Sequence, residues 1–234
     1  MIQTYGGSNP SGAANFNSHK YEMNYNLDIP GWMSETDLLI LSRLASHVPE
    51  NGNILEVGSF LGRSTYALYA GKPASAHLEI VDTFKLSNNY SLNINPSTLD
   101  GSIELINDAK NIASKNGNWL EAFKHCITPE IADQLTINSV SSEDYELVKH
   151  FDMIFIDANH SLTNIKADIK KFVNATTLLV GDDFGHDQLG VPIALGMIRS
   201  EVKGTLIVPE NSKIWIMVPS TGYWKHVFQT NILY

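Results

Sequence analysis

Cysteine is almost missing. Cys126 stands alone among 234 residues, so no internal disulfide can staple the chain. A chain of this size buries roughly 70% of its unfolded surface and needs neither bridges nor structural zinc. A reducing, cytoplasmic setting is the expectation. Long apolar runs are missing too. None approaches the ~18 residues that span a bilayer. The first residues, MIQTYGGSNPSGAANFNSHK, read as no signal peptide, because no basic region precedes an apolar one. Basic charge is scarce: 16 Lys and Arg face 25 Asp and Glu, a net charge of -9. Phosphate backbones demand clustered Lys and Arg, so a nucleic-acid partner is not expected. What is left is an acidic chain for which neither a nucleic-acid nor a membrane partner is expected. A homo-oligomer is compatible with it.

Residues 1–30 are rich in Asn, Ser and Gly and read as a mobile arm, and 31–234 as a single domain. A helix is expected over Ser34–His47, capped by Ser34 or Thr36. From Asn53 onward short apolar runs (ILEVGSF, HLEIVDTF, LTINSV, FDMIFIDA, TTLLVGDDF) alternate with amphipathic stretches at Ser64–Ala70, Ser102–Lys115, Ser161–Phe172 and Val191–Val202. That order predicts an α/β fold with a doubly wound parallel sheet. GTLIVPE and KIWIMVPS are separated only by Asn211 and Ser212. So short a link makes an antiparallel hairpin, which puts one reversed strand near an edge. The long polar stretch at 85–100, KLSNNYSLNINPSTLD, follows a strand's carboxyl end and reads as a candidate lid.

The stretch NILEVGSFLGRST, Asn53–Thr65, turns a strand into a helix. Gly58 and Gly62 let a ligand approach the backbone, and the helix start offers N–H groups to an anion. A dinucleotide fold wants G-x-G-x-x-G and a P-loop wants G-x-x-x-x-G-K-S/T. Here GSFLGRS is one residue short of the second and places Arg63 where Lys belongs. The acid-x-G-x-x-x-G pattern of class I S-adenosylmethionine methyltransferases fits Glu56, Gly58 and Gly62 without adjustment. Asp82 ends the second run, where a carboxylate can accept both hydroxyls of a ribose. Phe84 is placed to stack on an adenine or to join the core. Ser141 and Ser142 are placed to reach the adenine edge or to cap a helix.

A second group of acids ends two later runs: Asp157 closes FDMIFID, and Asp182 and Asp183 close TTLLVGDD. The spacing fits one helix and one strand, so these acids belong on neighbouring parallel strands about 4.8 Å apart. Such carboxylates repel unless their pKa values rise or a cation neutralises them, and all-oxygen ligation suits Mg²⁺, Mn²⁺ or Ca²⁺. Acids at strand ends also serve as turns and caps. His160, in the loop after Asp157, is a candidate general base and His186 a weaker one.

Taken in order, EVGSFLGRST, VDTF, FDMIFIDANHS, LLVGDDF and GVPIA resemble class I methyltransferases over roughly Gly31 to Pro219. Within them the chain is most similar to the metal-dependent group of macrocin-type sugar O-methyltransferases and cephalosporin-hydroxylase-like proteins. Catechol O-methyltransferase is a more distant analogue. The resemblance implies a Rossmann-like sheet, S-adenosylmethionine as cofactor and Mg²⁺ as metal. It implies that Glu56, Gly58 and Ser64 hold the methionine end and Asp82 the ribose. Ser59, Phe60, Gly62, Thr83, Phe84, Ser142 and Asp157 complete the candidate cradle. Asp157, Asp182 and Asp183 match the metal triad, and His160, with Asp157, the catalytic pair. The chain departs from the pattern at Leu162, where a Tyr is usual, and in the lead-in NATTLLVGDD, usually rich in Gly and Pro. The activity expected is O-methyl transfer to a hydroxyl of a sugar, catechol-like molecule or natural product. The alternatives are a hydroxylase-like or other non-methylating enzyme on the same scaffold, and a non-catalytic cofactor-binding subunit.

Overall fold

The computed structural model describes residues 25–85, 99–185, 189–199 and 204–230. Most of the arm and of the 85–100 loop, and His186, lie outside the described residues. The elements run α1 (Glu35–Ser46), β1 (Asn53–Val57), α2 (Arg63–Gly71), β2 (His77–Val81), α3 (Leu99–Asn116), α4 (Trp119–Ile127) and α5 (Pro129–Ala132). They continue with β3 (Thr136–Asn138), β4 (Phe151–Ile156), α6 (Leu162–Phe172), β5 (Thr176–Gly181), α7 (Gly190–Ile198), β6 (Gly204–Ile207), β7 (Trp215–Pro219) and α8 (Tyr223–Gln229). The seven strands form one sheet in the order β3-β2-β1-β4-β5-β7-β6. The reversed strand is β7, antiparallel to both β5 and β6. Among the described residues no helix is long and apolar enough to cross a membrane.

Side chains alternate across each strand, and the sheet separates two cores by that alternation. Ile54, Ile80, Phe155, Val180 and Ile216 pack on one face with α1, α2, α4 and α8. Leu55, Ile154, Ile156, Leu179 and Trp215 pack on the other with α6 and α7. At the start of α1, Ser34 accepts the Asp37 N–H and the Asp37 carboxylate reaches back to the Ser34 N–H. This capping box satisfies two donors a helix start leaves unpaired. Helices α4, α5 and α8 were not anticipated from sequence. They are short, and α4 restarts two residues after α3 on an Asn118 cap that accepts the Glu121 N–H. The apolar runs also extend past the strands themselves: β1 stops at Val57 although the run continues to Phe60.

The register defines one rim. Val57 lies opposite Val81 and Ile156, and Ile156 lies opposite Gly181. The next residue in each strand is therefore Gly58, Asp82, Asp157 or Asp182, and these four stand side by side in the order Asp82, Gly58, Asp157, Asp182. Backbone bonds carry the ladder through this row: Gly58 N–H to Val81 O (2.9 Å), Asp157 N–H to Val57 O (2.8 Å) and Asp182 N–H to Ile156 O (3.2 Å). Gly58 has φ +89°, and a Cβ there would overlap the carbonyl of Asp157. Gly62 has φ +93°, and a Cβ there would overlap Ile127. Both motif glycines are thus required by close backbone or side-chain approach. Three larger residues, Phe60, Phe84 and Asp183, also take left-handed backbone (φ +50°, +48° and +62°) just past β1, β2 and β5. Such strain, of order 1–3 kcal/mol each, gathers at functional sites.

Candidate functional site

The turn after β1 is held from below and from the side. Glu56 is fully buried beneath α2, and its two oxygens accept from Ser64 Oγ and Thr65 Oγ1, each at 2.5 Å. Burial pushes its carboxyl up to about 8, against the opposing pull of those hydroxyls. From β2, Asp82 Oδ2 accepts the N–H groups of Ser59 (2.8 Å) and Phe60 (3.0 Å), with Ser59 Oγ at 3.4 Å. Asp82 Oδ1 accepts the Phe84 N–H at 2.6 Å. Asp82 therefore fastens the turn to β2 and keeps acceptor capacity on Oδ1 for one further donor. The first helical acceptor in α2 is Gly62 O, bonded by the Tyr66 N–H at 2.8 Å. In the turn itself the Ser59 and Phe60 amides are taken by Asp82 and the Gly62 N–H by Ser59 O (2.8 Å), so N–H groups for an anion would have to come from the first turn of α2.

The other predicted cradle residues fall into two kinds. Thr83 is exposed on the rim. Phe84 is buried, its ring 5.2 Å from that of Phe123. Ser142 lies toward buried Asp168, whose carboxyl is raised by burial against the opposing pull of the Ser142 hydroxyl and the Lys171 charge. Its loop is anchored on α6 by Lys171, whose Nζ donates to the carbonyls of Ser142 (2.6 Å), Glu143 (2.9 Å) and Tyr145 (2.6 Å). Sequence reading missed Asp168 and Lys171, which lie on a helix read only as packing.

Beside this cradle, along the same rim, the acids converge. His160 lies between two carboxylates, with Nε2 3.2 Å from Asp157 Oδ1 and Nδ1 2.8 Å from Asp183 Oδ2. One ligand atom from each of Asp157, His160 and Asp183 lies within 4.8 Å of the others. Burial alone would lower the His160 imidazole, but hydrogen bonds and charge from Asp157 and Asp183 outweigh it and push it up to about 10. Burial raises Asp157; the His160 hydrogen bond opposes this, and Asp183 adds repulsion. Asp182 is more extreme. Burial and then the charges of Asp157 and Asp183 hold it well above the ordinary carboxylate range. Its Oδ1 is the one buried side-chain polar atom without a hydrogen-bond partner among the described residues. Lys213 approaches Asp183 Oδ1 only to 3.8 Å and is half exposed, so it screens that acid weakly. Asp37, at the start of α1, accepts from Ser212 Oγ (2.6 Å) and the Lys213 N–H (3.1 Å). Its charge is felt at Asp157 and Asp182. Neither Asp37 nor Lys213 carried a sequence signal for the site: each is brought there by tertiary folding alone. The structure thus groups Asp157 and Asp183 around His160, with Asp182 as a buried neighbour.

No protein-family model matches the sequence, and no curated protein does. Solved structures do match in fold. An O-methyltransferase from Bacillus cereus, solved in complex with SAH, is 17% identical. The match covers 82% of this chain and 84% of that one, with a TM-score of 0.50. The SAH-bound Podospora anserina methyltransferase PaMTH1 is 13% identical over 81% of this chain and 80% of its own, with a TM-score of 0.53. A protein from Corynebacterium glutamicum gives 0.52 at 13% identity, over 82% and 84%. The seven-stranded sheet with its reversed strand beside one edge is the fold of the class I methyltransferases.

Proposed function

We propose that this chain is an S-adenosylmethionine-dependent O-methyltransferase, assisted by a divalent cation, acting on a hydroxyl of a small molecule. The observation that carries the reading is the juxtaposition on adjacent strands β1 and β4: a glycine turn fit for a nucleoside cofactor beside a cluster of carboxylates. The neighbours solved with SAH bound support it. The residues fit both absent groups. Gly58 and Gly62 let the turn close onto Asp157 and Ile127, the start of α2 offers amides to a carboxylate, and Asp82 Oδ1 can accept from a ribose. The orphaned Asp182 Oδ1 and the carboxylates of Asp157 and Asp183 suit a hard cation such as Mg²⁺.

S-adenosylmethionine would supply an activated methyl group, and a divalent cation would lower the pKa of a substrate hydroxyl. The chain's own residues position and deprotonate. Asp157 and Asp183 fix the His160 ring from both nitrogens. As an imidazolium between them, His160 holds its proton and is no base. To accept the proton of the acceptor hydroxyl, His160 would have to be neutral and to release one of these two carboxylates, freeing a ring nitrogen. Orientation on the rim supplies much of the barrier reduction, up to ~7–11 kcal/mol in well-oriented systems.

Calorimetric titration of the wild type with S-adenosylhomocysteine, with and without Mg²⁺, tests the reading. Binding in both conditions, tighter with Mg²⁺, is expected. Absence of binding in both contradicts a methyltransferase, and binding indifferent to Mg²⁺ contradicts the metal.

A further inference from the structure

Arg63, the residue that broke the P-loop pattern, opens α2 but points its guanidinium away from the cradle. Nε donates to Ile29 O (2.5 Å), Nη1 to Met33 O (3.1 Å) and Nη2 to Leu27 O (3.0 Å). One side chain thus gathers three carbonyls of the segment before α1. Three separate nitrogens of one planar fork reach these carbonyls, whereas a lysine here would have to reach all three from a single nitrogen. Gly31 lies flat on the same side chain: a Cβ there would come within 3.1 Å of Arg63 Cβ and Cδ.

The clamped segment carries Trp32. Its ring lies 5.1 Å from that of Phe60, which lies 5.9 Å from that of Trp119 at the start of α4. Phe60 is the left-handed residue of the turn, and its N–H is one of those held by Asp82. Further along, the segment passes into α1, where Asp37 bonds Ser212 and Lys213 beside Asp183. It therefore runs along the rim from the β1 turn to the acids.

We propose that Arg63 is a positioning residue: by clamping 27–33 it seats Trp32 on Phe60, which holds the β1 turn in its strained, ligand-ready form and makes Trp32 and Phe60 one wall of the crevice. This rests on the cofactor reading of that turn. Backbone strain at a bulky residue persists only where its surroundings over-determine it. Here the two restraints are Asp82 on the amide and the flanking indoles on the ring. Losing Trp32 removes one of them.

The test is acrylamide quenching of Trp32 fluorescence, taken as the difference from the matching Trp32→Phe protein, together with S-adenosylhomocysteine affinity and the thermal midpoint. Trp215 and Trp224 are buried and contribute little. In Arg63→Lys the Trp32 quenching constant should rise at least about twofold as the segment loosens. Cofactor-product affinity should fall at least about fivefold as the turn relaxes. Trp32→Ala should reproduce the affinity loss with Arg63 intact. Gly31→Ala, which crowds the fork, should reproduce both and serves if Arg63→Lys unfolds. Wild-type quenching in Arg63→Lys and Gly31→Ala overturns the clamp. Released Trp32 with unchanged affinity overturns its coupling to the turn, as does a lower thermal midpoint with both readouts unmoved. If the wild type binds no S-adenosylhomocysteine, the methyltransferase reading fails by itself, and the quenching arm still decides the clamp.

Discussion

Asp157→Asn should weaken Mn²⁺ binding, followed by the loss of free-ion signal in electron paramagnetic resonance, by at least about a hundredfold. It should do so without lowering the thermal midpoint. Both halves follow from one geometry. Asp157 supplies a carboxylate oxygen to the cluster with His160 and Asp183. The amide keeps the shape and removes the charge a hard cation needs. The same carboxylate is buried among like charges. Burial raises its pKa, and it adds its charge to Asp182, which has an unpartnered buried oxygen. A neutral isostere relieves that repulsion, so the fold keeps or gains stability while the site loses function. Metal-free affinity for S-adenosylhomocysteine should stay within about threefold, since the β1 turn is held by Asp82 and Glu56 and not by Asp157. Wild-type Mn²⁺ affinity in the variant, or its unfolding, contradicts the assignment. A purely structural acid in a turn would show the reverse pattern.

The second large effect lies beneath the cradle. Glu56 has an ordinary carboxyl pKa of 4.5 in the unfolded chain and about 8 when folded, because burial disfavours its charge. Between those values the folded state holds a proton that the unfolded chain has released. Stability from this group is therefore full below about 4.5, falls as pH rises, and is fully lost above about 8. The loss is on the order of 5 kcal/mol. Denaturant unfolding of the wild type across this window should show the fall. Glu56→Gln should flatten much of it, matching the wild type near the acidic end and exceeding it near pH 9. The glutamine can still take part with the Ser64 and Thr65 hydroxyls, each of which donates or accepts. Parallel curves for the two proteins would mean that Glu56 is ionised in the fold.

The sheet was legible because its signals are local. Apolar runs of strand length alternate with helical periodicity, and the short gap at Asn211–Ser212 pointed to the reversed strand found as β7, although the strands themselves stop earlier and are joined by seven residues, 208–214. The acids of the row were legible because Asp82, Asp157 and Asp182 each close an apolar run, and parallel register brings such ends together; Gly58 was legible from its turn motif. Less could be read of what each side chain touches. Asp82 spends most of its acceptors on backbone amides of the neighbouring turn, 22 and 23 residues earlier in the chain, and periodicity carries no such information. Ser142 faces Asp168 because α6 packs behind its loop. Arg63 looked like a failed phosphate ligand, because its three acceptors lie 30 to 36 residues upstream in a stretch without periodic pattern. His160 was placed by the short loop after β4. Its position between Asp157 and Asp183 depends on the left-handed backbone at Asp183, which no motif announces.

Amide hydrogen exchange with and without S-adenosylhomocysteine tests most directly whether the β1 turn is the cofactor cradle. Protection is expected across 57–65 and 82–84, where the glycine turn, the start of α2 and the Asp82 staple meet. Added Mg²⁺ should extend it to 157–160. Exchange unchanged over 57–65 and 82–84 while the ligand binds elsewhere would contradict a cradle at that turn, and with it the methyl transfer proposed for this rim.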